Sequence, residues 1–242
     1  MSDHQVAARL ATQAGELLLA VRQELTDATA AERKAAGDKR SHEYLMAELA
    51  QERPADVVLS EEGADKPERL KADRVWIVDP LDGTREFSEL DRSDWAVHVA
   101  LWVAGGLVAG AVALPAQGLT LATPNVAPPQ RHPGPPRIVV SRTRPPAIAL
   151  DVREHLDGTL VEMGSAGAKV AAVILGSADV YIHAGGQHEW DSAAPVAVAR
   201  AAGLHTSRID GSPLQYNQPD PLLPDLLVCR PQYADAVLAA VN

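Results

Sequence analysis

Between residues 5 and 25, apolar side chains recur at spacings of three and four (Val6, Leu10, Ala14, Leu17, Leu18, Val21, Leu25) with strong helix formers between them, which predicts an amphipathic helix. The same period returns after Ser41, where Glu43 and the apolar set Leu45, Met46 and Leu49 predict a second helix that Pro54 stops. Short β-branched runs follow. Val57 to Leu59 predicts a buried strand leading into Ser60-Glu61-Glu62-Gly63, and Arg74 to Val78 predicts another that ends at Asp79-Pro80-Leu81-Asp82-Gly83-Thr84. Trp95 to Val103, Leu107 to Leu114 and Leu119 to Thr123, with Gly105-Gly106 at the first turn, read as an antiparallel three-strand meander in which Trp76, Trp95 and Trp102 are core residues.

Six prolines between Pro124 and Pro136 keep that stretch out of helices and central strands. Beyond it the pattern alternates, with strands expected at 138–140, 159–163 and 180–183 and helices at 147–155, 166–175 and 192–202. A last strand at 226–229 and a closing helix at 232–241 complete it. The expected fold class is therefore α/β, an α+β half over residues 1–130 followed by an α/β half over 131–242.

Composition narrows the function. Twenty-two Lys and Arg against 32 Asp and Glu leave a formal charge of −10, and no basic cluster interleaved with aromatics occurs, so nucleic acid is not the expected partner. An acidic protein that binds a phosphorylated small molecule must supply local positive charge from metal ions, helix N-termini or single Arg and Lys residues. Cys229 is the single cysteine, which excludes a disulfide scaffold and a Cys-based zinc site. The opening Met-Ser-Asp-His-Gln shows no cationic run before an apolar segment, and no run of about 18 apolar residues occurs. A cytoplasmic protein without membrane contact is the expectation.

Candidate chemistry lies at the ends of these elements. Asp79 and Asp82 sit three residues apart on a turn that Pro80 stiffens and Gly83 bends, so both carboxylates can face one point, with the Leu81 carbonyl between them as a further hard oxygen ligand for magnesium. Pro, Asp and Gly are also ordinary turn residues. Glu61-Glu62 follows the earlier strand, and Asp191 in Trp190-Asp191-Ser192-Ala193-Ala194-Pro195 opens an Ala-rich helix, where it could equally be the N-cap. Acids delivered by three separate segments are how a multi-metal carboxylate site is assembled. Ser165 and Lys169 fall at the first turn of a helix, as substrate contacts or as a cap with an exposed lysine. Gly185 to Glu189 could line a base pocket and Tyr216-Asn217 could approach it, while His183 and His188 lack the company of a zinc site.

The hexapeptide, with Ser60-Glu61-Glu62 upstream and Trp190 to Ala194 downstream, resembles the inositol monophosphatase-like family of magnesium-dependent, lithium-sensitive phosphatases. Within it, Arg85-Glu86-Phe87 and Gly164-Ser165-Ala166-Gly167-Ala168-Lys169 are similar to the 3′(2′),5′-bisphosphate nucleotidase branch of reductive sulfate assimilation in its short actinobacterial form, whereas inositol phosphatases usually carry Asn where Glu86 stands. The resemblance runs in order from about Asp38 to Asn217.

It implies the layered αβαβα sugar-phosphatase fold shared with fructose-1,6-bisphosphatases. Glu61, Asp79, Asp82, Asp191 and the Leu81 carbonyl would hold two or three magnesium ions, with Glu61, Asp82 and Thr84 catalytic and Thr84, near Glu61, orienting the attacking water. Gly83, Thr84, Ser165, Lys169 and Asp191 would contact substrate; Asp38, preceded here by Ala36-Gly37 in place of the family's pattern, is a supporting candidate. The implied reaction is hydrolysis of 3′-phosphoadenosine 5′-phosphate to AMP and phosphate, with the sulfated nucleotide as second substrate. Inositol monophosphate or fructose bisphosphate hydrolysis and a non-catalytic nucleotide sensor are the alternatives. A homodimer is left open.

Overall fold

The computed structural model describes residues 1–130 and 132–241. Arg131, which opens the expected second half, and Asn242 lie outside the described residues. The first helix, α1 (Asp3–Glu24), begins in a capping box between Ser2 and Gln5 and buries Val6, Leu10, Ala14, Leu18 and Val21 along one face. The second helix, α2 (Ala30–Glu52), starts eleven residues before the expected Ser41, because a second capping box, Thr29 with Glu32, launches it. Gly37-Asp38, which interrupts the apolar pattern, sits inside this helix. Gly37 serves proximity there: a Cβ at that position would lie 2.7 Å from the Phe87 ring and 2.8 Å from the Leu81 side chain.

The first sheet runs in the order β1 (Val57–Ser60), β2 (Arg74–Asp82), β3 (Ala96–Val103), β4 (Gly106–Leu114), β5 (Leu119–Ala122); β1 and β2 are parallel and the remaining pairs antiparallel. The strand expected to end at Val78 continues through Asp82, since a register shift between Asp79 and Asp82 absorbs Pro80 without a broken ladder. Trp76 and Val78 face α1 and α2, and Val75 and Ile77 face the opposite side, as the two-residue period requires. Trp95 is fully buried one residue before β3, while Trp102 is half-buried.

The second sheet has the order β7 (Thr159–Met163), β6 (Arg137–Ser141), β8 (Val180–His188), β10 (Leu222–Cys229), β9 (His205–Ser207). The first three are parallel, and β10 runs antiparallel to both β8 and β9. Three-residue β9 carried too little pattern to be anticipated. Strands β8 and β10 are also longer than expected, each through a feature that reads as a breaker: Gly185-Gly186 in β8, and Pro224 at a register shift in β10.

Helices α1 and α2 cover one face of the first sheet, and α4 (Ile148–His155) and α7 (Ala234–Val241) cover the outer face of the second. Helices α5 (Ala166–Ile174) and α6 (Glu189–Ala201) fill the space between the sheets, giving five alternating layers. Both are apolar nearly all round, as a helix buried on every side must be. Burial of each of Val170, Val173, Ile174, Val196 and Val198 contributes about 1.5–3 kcal/mol. The short α3 (Thr84–Ser88) follows β2, held by Phe87 edge-on against Trp95 with ring centroids 5.1 Å apart.

Candidate metal centre and phosphate cleft

The carboxylates expected at strand ends converge between the sheets. Oxygens of Asp79, Asp82 and Asp191 lie within 4.8 Å of one another. Asp79 and Asp82 come from the shifted end of β2, where the Leu81 amide donates to Asp79 Oδ1 at 3.0 Å. Asp191 comes from the third position of α6 and is not its N-cap: His188 takes that place, and the His188 amide donates to Asp191 Oδ2 at 2.6 Å. Glu61, one residue past β1, stands outside the tight trio yet near enough that the Asp79 carboxyl and the Asp191 charge act on it.

So many acids in one place change their own chemistry. Desolvation at the cleft and repulsion from Asp191 push the Glu61 carboxyl up to about 7. Burial and the charge of Asp82 push Asp191 up to about 6, and burial with Glu61 and Asp82 as neighbours holds Asp79 far above the ordinary carboxylate range. Asp82 goes the other way, down to about 2. Burial opposes its ionisation, but His98, the Ser165 hydroxyl and the Lys169 charge outweigh that cost. Ser165 Oγ donates to Asp82 Oδ2 at 2.5 Å and the Gly167 amide donates to the same oxygen at 2.7 Å, so one face of Asp82 is organised by the start of α5.

His98 is a participant that the sequence reading missed, because it alternates with apolar residues in β3 and looks like any other strand position. It pairs across the sheet with Asp79, is fully buried, and sets Nε2 3.3 Å from Asp82 Oδ2 and Nδ1 3.1 Å from the Trp190 carbonyl. Its neighbour Asp82 raises its proton affinity against the effect of burial.

Thr84 donates to the Leu81 carbonyl at 3.2 Å, and its hydroxyl lies 3.5 Å from Asp38 Oδ1. Asp38, the supporting candidate, is thus a carboxylate neighbour of Thr84 and is carried by α2. Burial and the Glu62 charge push Asp38 up to about 6. Gly83 enters α3 with φ +83°, the left-handed region in which a side chain is strained.

A cleft of about 520 Å³ opens beside the acids, lined by Asp82, Gly83, Thr84, Ser165, Lys169 and Asp191 among others. Lys169 is not the exposed lysine of an ordinary cap. Only 5% exposed, its ammonium donates to the carbonyls of Gly164 and Ser165 at 3.1 and 2.6 Å and lies 5.4 Å from the centre of the Tyr181 ring. Burial lowers its proton affinity. His183 and Gly185 to Gln187 form part of the wall, whereas His188 stacks on Trp190 at 4.6 Å. Tyr216 and Asn217 do not line the cleft. Tyr216 pairs with Ser192, and Asn217 ties Arg69 to Glu189, bracing the start of α6.

The donor set suits hard divalent cations, which take oxygen ligands. Asp79 Oδ2 is buried with no hydrogen-bond partner, an arrangement that costs free energy unless a cation satisfies it. Among the described residues, no helix is long and apolar enough to cross a membrane.

Comparison with known proteins agrees with this geometry. The chain is 50% identical over an alignment 264 positions long, covering 100% of itself and 94% of the relative, to the 3′-phosphoadenosine 5′-phosphate phosphatase of Mycobacterium leprae. Its fold superimposes on inositol monophosphatase II from Staphylococcus aureus with a TM-score of 0.83 at 19% identity, over 100% of this chain and 93% of that one. On CysQ from Bacteroides thetaiotaomicron, a bacterial member of the inositol monophosphatase family, the TM-score is 0.79 at 27% identity, over 94% and 97% of the two chains. The inositol monophosphatase family profile matches residues 2–127 and 137–242, and the chain belongs to that family.

Proposed function

We propose that this chain is a magnesium-dependent 3′(2′),5′-bisphosphate nucleotidase that hydrolyses the 3′-phosphate of 3′-phosphoadenosine 5′-phosphate, and that of its sulfated form, in the cytoplasm during sulfate assimilation. The observation that carries the reading is the acid cluster of Asp79, Asp82 and Asp191 opening directly onto a cleft whose other walls bear Lys34, Arg85, Arg142, Arg144 and Lys169. Similarity to the M. leprae phosphatase over the whole chain supports the substrate.

Glu61, Asp79, Asp82, Asp191 and the Leu81 carbonyl would hold the metal, two or three ions in all. Bound there, magnesium supplies positive charge that acidifies a water and offsets the charge of the scissile phosphate. The protein's own part is positioning. Asp82, kept ionised by Ser165, Gly167 and His98, is the fixed anion of the cluster, and Thr84, between the Leu81 carbonyl and Asp38, orients the attacking water. Glu61, just past the end of β1, is assigned to the catalytic set beside its part in holding the metal. The amides of Gly83 and Thr84 face the scissile phosphate. Ser165 and Lys169 shape the floor, the ammonium fixing the Gly164–Ser165 turn and lending its charge through it. Residues 1–130 thus bring most of the metal ligands, and residues 131–242 bring the substrate floor and Asp191.

Phosphate release from 3′-phosphoadenosine 5′-phosphate, inositol 1-phosphate and fructose 1,6-bisphosphate, each with and without magnesium, tests this. The nucleotide should be the best substrate, and turnover should vanish on chelation. Faster release from inositol phosphate, or full turnover after exhaustive chelation, would overturn the reading.

A further inference from the structure

Glu86, on α3, has no place among the metal ligands. It is 5% exposed and accepts a hydrogen bond from Arg142 Nε at 2.6 Å, while Arg142 Nη2 donates to Glu89 at 2.8 Å. The glycine at position 164 gives Glu86 its room, since a Cβ there would fall 2.2 Å from the Glu86 side chain. Two carboxylates on one guanidinium therefore pin the loop after β6, Arg142-Thr143-Arg144, to the segment beginning at α3. The loop is stiffened further by the Arg144 amide donating to Ser141 Oγ at 3.3 Å and by Pro145-Pro146 directly after it.

This clamp presents Arg144 on a cleft wall contributed by the second half of the chain, near enough to His183 for its charge to act there. Unlike Arg142 and Lys169, which already donate to carboxylates and to backbone carbonyls, Arg144 makes no side-chain hydrogen bond or ion pair among the described residues. A guanidinium left free in a phosphate cleft is chemically matched to a phosphoryl dianion, which it binds through two parallel N–H donors. Arg85, the other free guanidinium on the cleft, belongs to α3, directly after the metal ligands of β2, and so stands at the reacting end.

We infer that Arg144 binds the phosphoryl group that is not hydrolysed, and that Glu86 acts through Arg142 as the positioning residue that holds it there. The inference rests on the nucleotidase reading and deepens it: discrimination between bisphosphorylated and monophosphorylated substrates resides in the loop after β6, with Glu86 as its remote determinant.

The test compares 3′-phosphoadenosine 5′-phosphate with adenosine 3′-phosphate, which lacks the second phosphoryl group, in wild type, Arg144→Ala, Arg144→Lys and Glu86→Gln. Arg144→Ala should raise KM for the bisphosphate about ten-fold, as loss of a charged hydrogen bond at a partly solvated site predicts, with kcat within about two-fold and the monophosphate affected by less than about two-fold. Arg144→Lys should recover part of the loss. Glu86→Gln should raise the same KM and add little when combined with Arg144→Ala, because both changes remove one contact. Equal losses on both substrates, or none on the bisphosphate, would overturn the inference while leaving the nucleotidase reading intact. A wild type inactive on the bisphosphate would refute that reading first.

Discussion

The crowding of carboxylates makes the metal-free protein sensitive to pH in a defined direction. Asp191 has its carboxyl raised from 3.8 to about 6 and Glu61 from 4.5 to about 7, so each holds its proton more firmly in the folded chain than in the unfolded one. Their contribution to stability is complete below the unfolded values and is lost as pH rises through the folded values. Between pH 5 and 8, Asp191 accounts for on the order of 1 kcal/mol, one pKa unit being worth roughly 1.4 kcal/mol. Glu61 reaches solvent, and screening reduces its share to about 1 kcal/mol. Asp79 and Asp38, whose carboxyls are also raised, and His98, with its proton affinity raised by Asp82, add in the same sense, while Asp82 itself titrates below the interval. A loss of at least about 2 kcal/mol corresponds to a fall in Tm of at least about 4 °C for a chain of this size. Magnesium competes with those protons, so it should restore the melting temperature strongly at pH 8 and weakly at pH 5, and its binding at pH 6 should release protons. Differential scanning calorimetry on chelated and magnesium-loaded protein reads the first effect, and titration calorimetry in buffers of different ionisation enthalpy reads the second. A metal-free Tm that is flat or rising from pH 5 to 8, or magnesium stabilisation equal at both ends, would refute the account of the cluster.

Three further outcomes are expected. Asp82→Asn should reduce phosphate release by at least about a hundred-fold with circular dichroism unchanged, because the one carboxylate held ionised is lost; retained turnover would remove Asp82 from the reaction. Lys169→Met should cost about 2–4 kcal/mol in urea unfolding, since the Gly164 and Ser165 carbonyls lose their buried donor, and should weaken nucleotide binding more than magnesium binding. Gly167→Ala places a Cβ 2.0 Å from His98 Nε2 and should destabilise by about 1–3 kcal/mol while displacing the amide that bonds Asp82; an unchanged Tm would mean that the helix start and His98 are not in contact.

Local pattern and long-range assembly were legible to different degrees. The meander, the α/β alternation and the acids at element ends follow from side-chain period and turn chemistry, which act over a few residues. The start of α2 was readable in principle, since Thr29 and Glu32 spell a capping box; the Gly37-Asp38 pair obscured it, and only the nearness of Phe87 explains why a glycine belongs there. His98 gave no signal because a polar residue in a buried strand is recognisable only once its partners are known. The pairing of Glu86 with Arg142 spans 56 positions and leaves no periodic trace at either end. Thr84 illustrates the same limit at short range, its carboxylate neighbour being supplied by a helix 46 residues away.

Helices α5 and α6 are encoded after the proline-rich stretch yet fill the underside of the first sheet, against Val75, Ile77, Ala96 and Ala100. A protease that nicked the chain between Pro124 and Pro136 would sever a covalent link without parting the fragments, which would remain together as a non-covalent pair and keep their ligands in register. The N-terminal fragment made by itself would expose a broad oily surface and aggregate. Evolution by exchange of gene segments is therefore barred at what looks, on the linear map, like the natural seam.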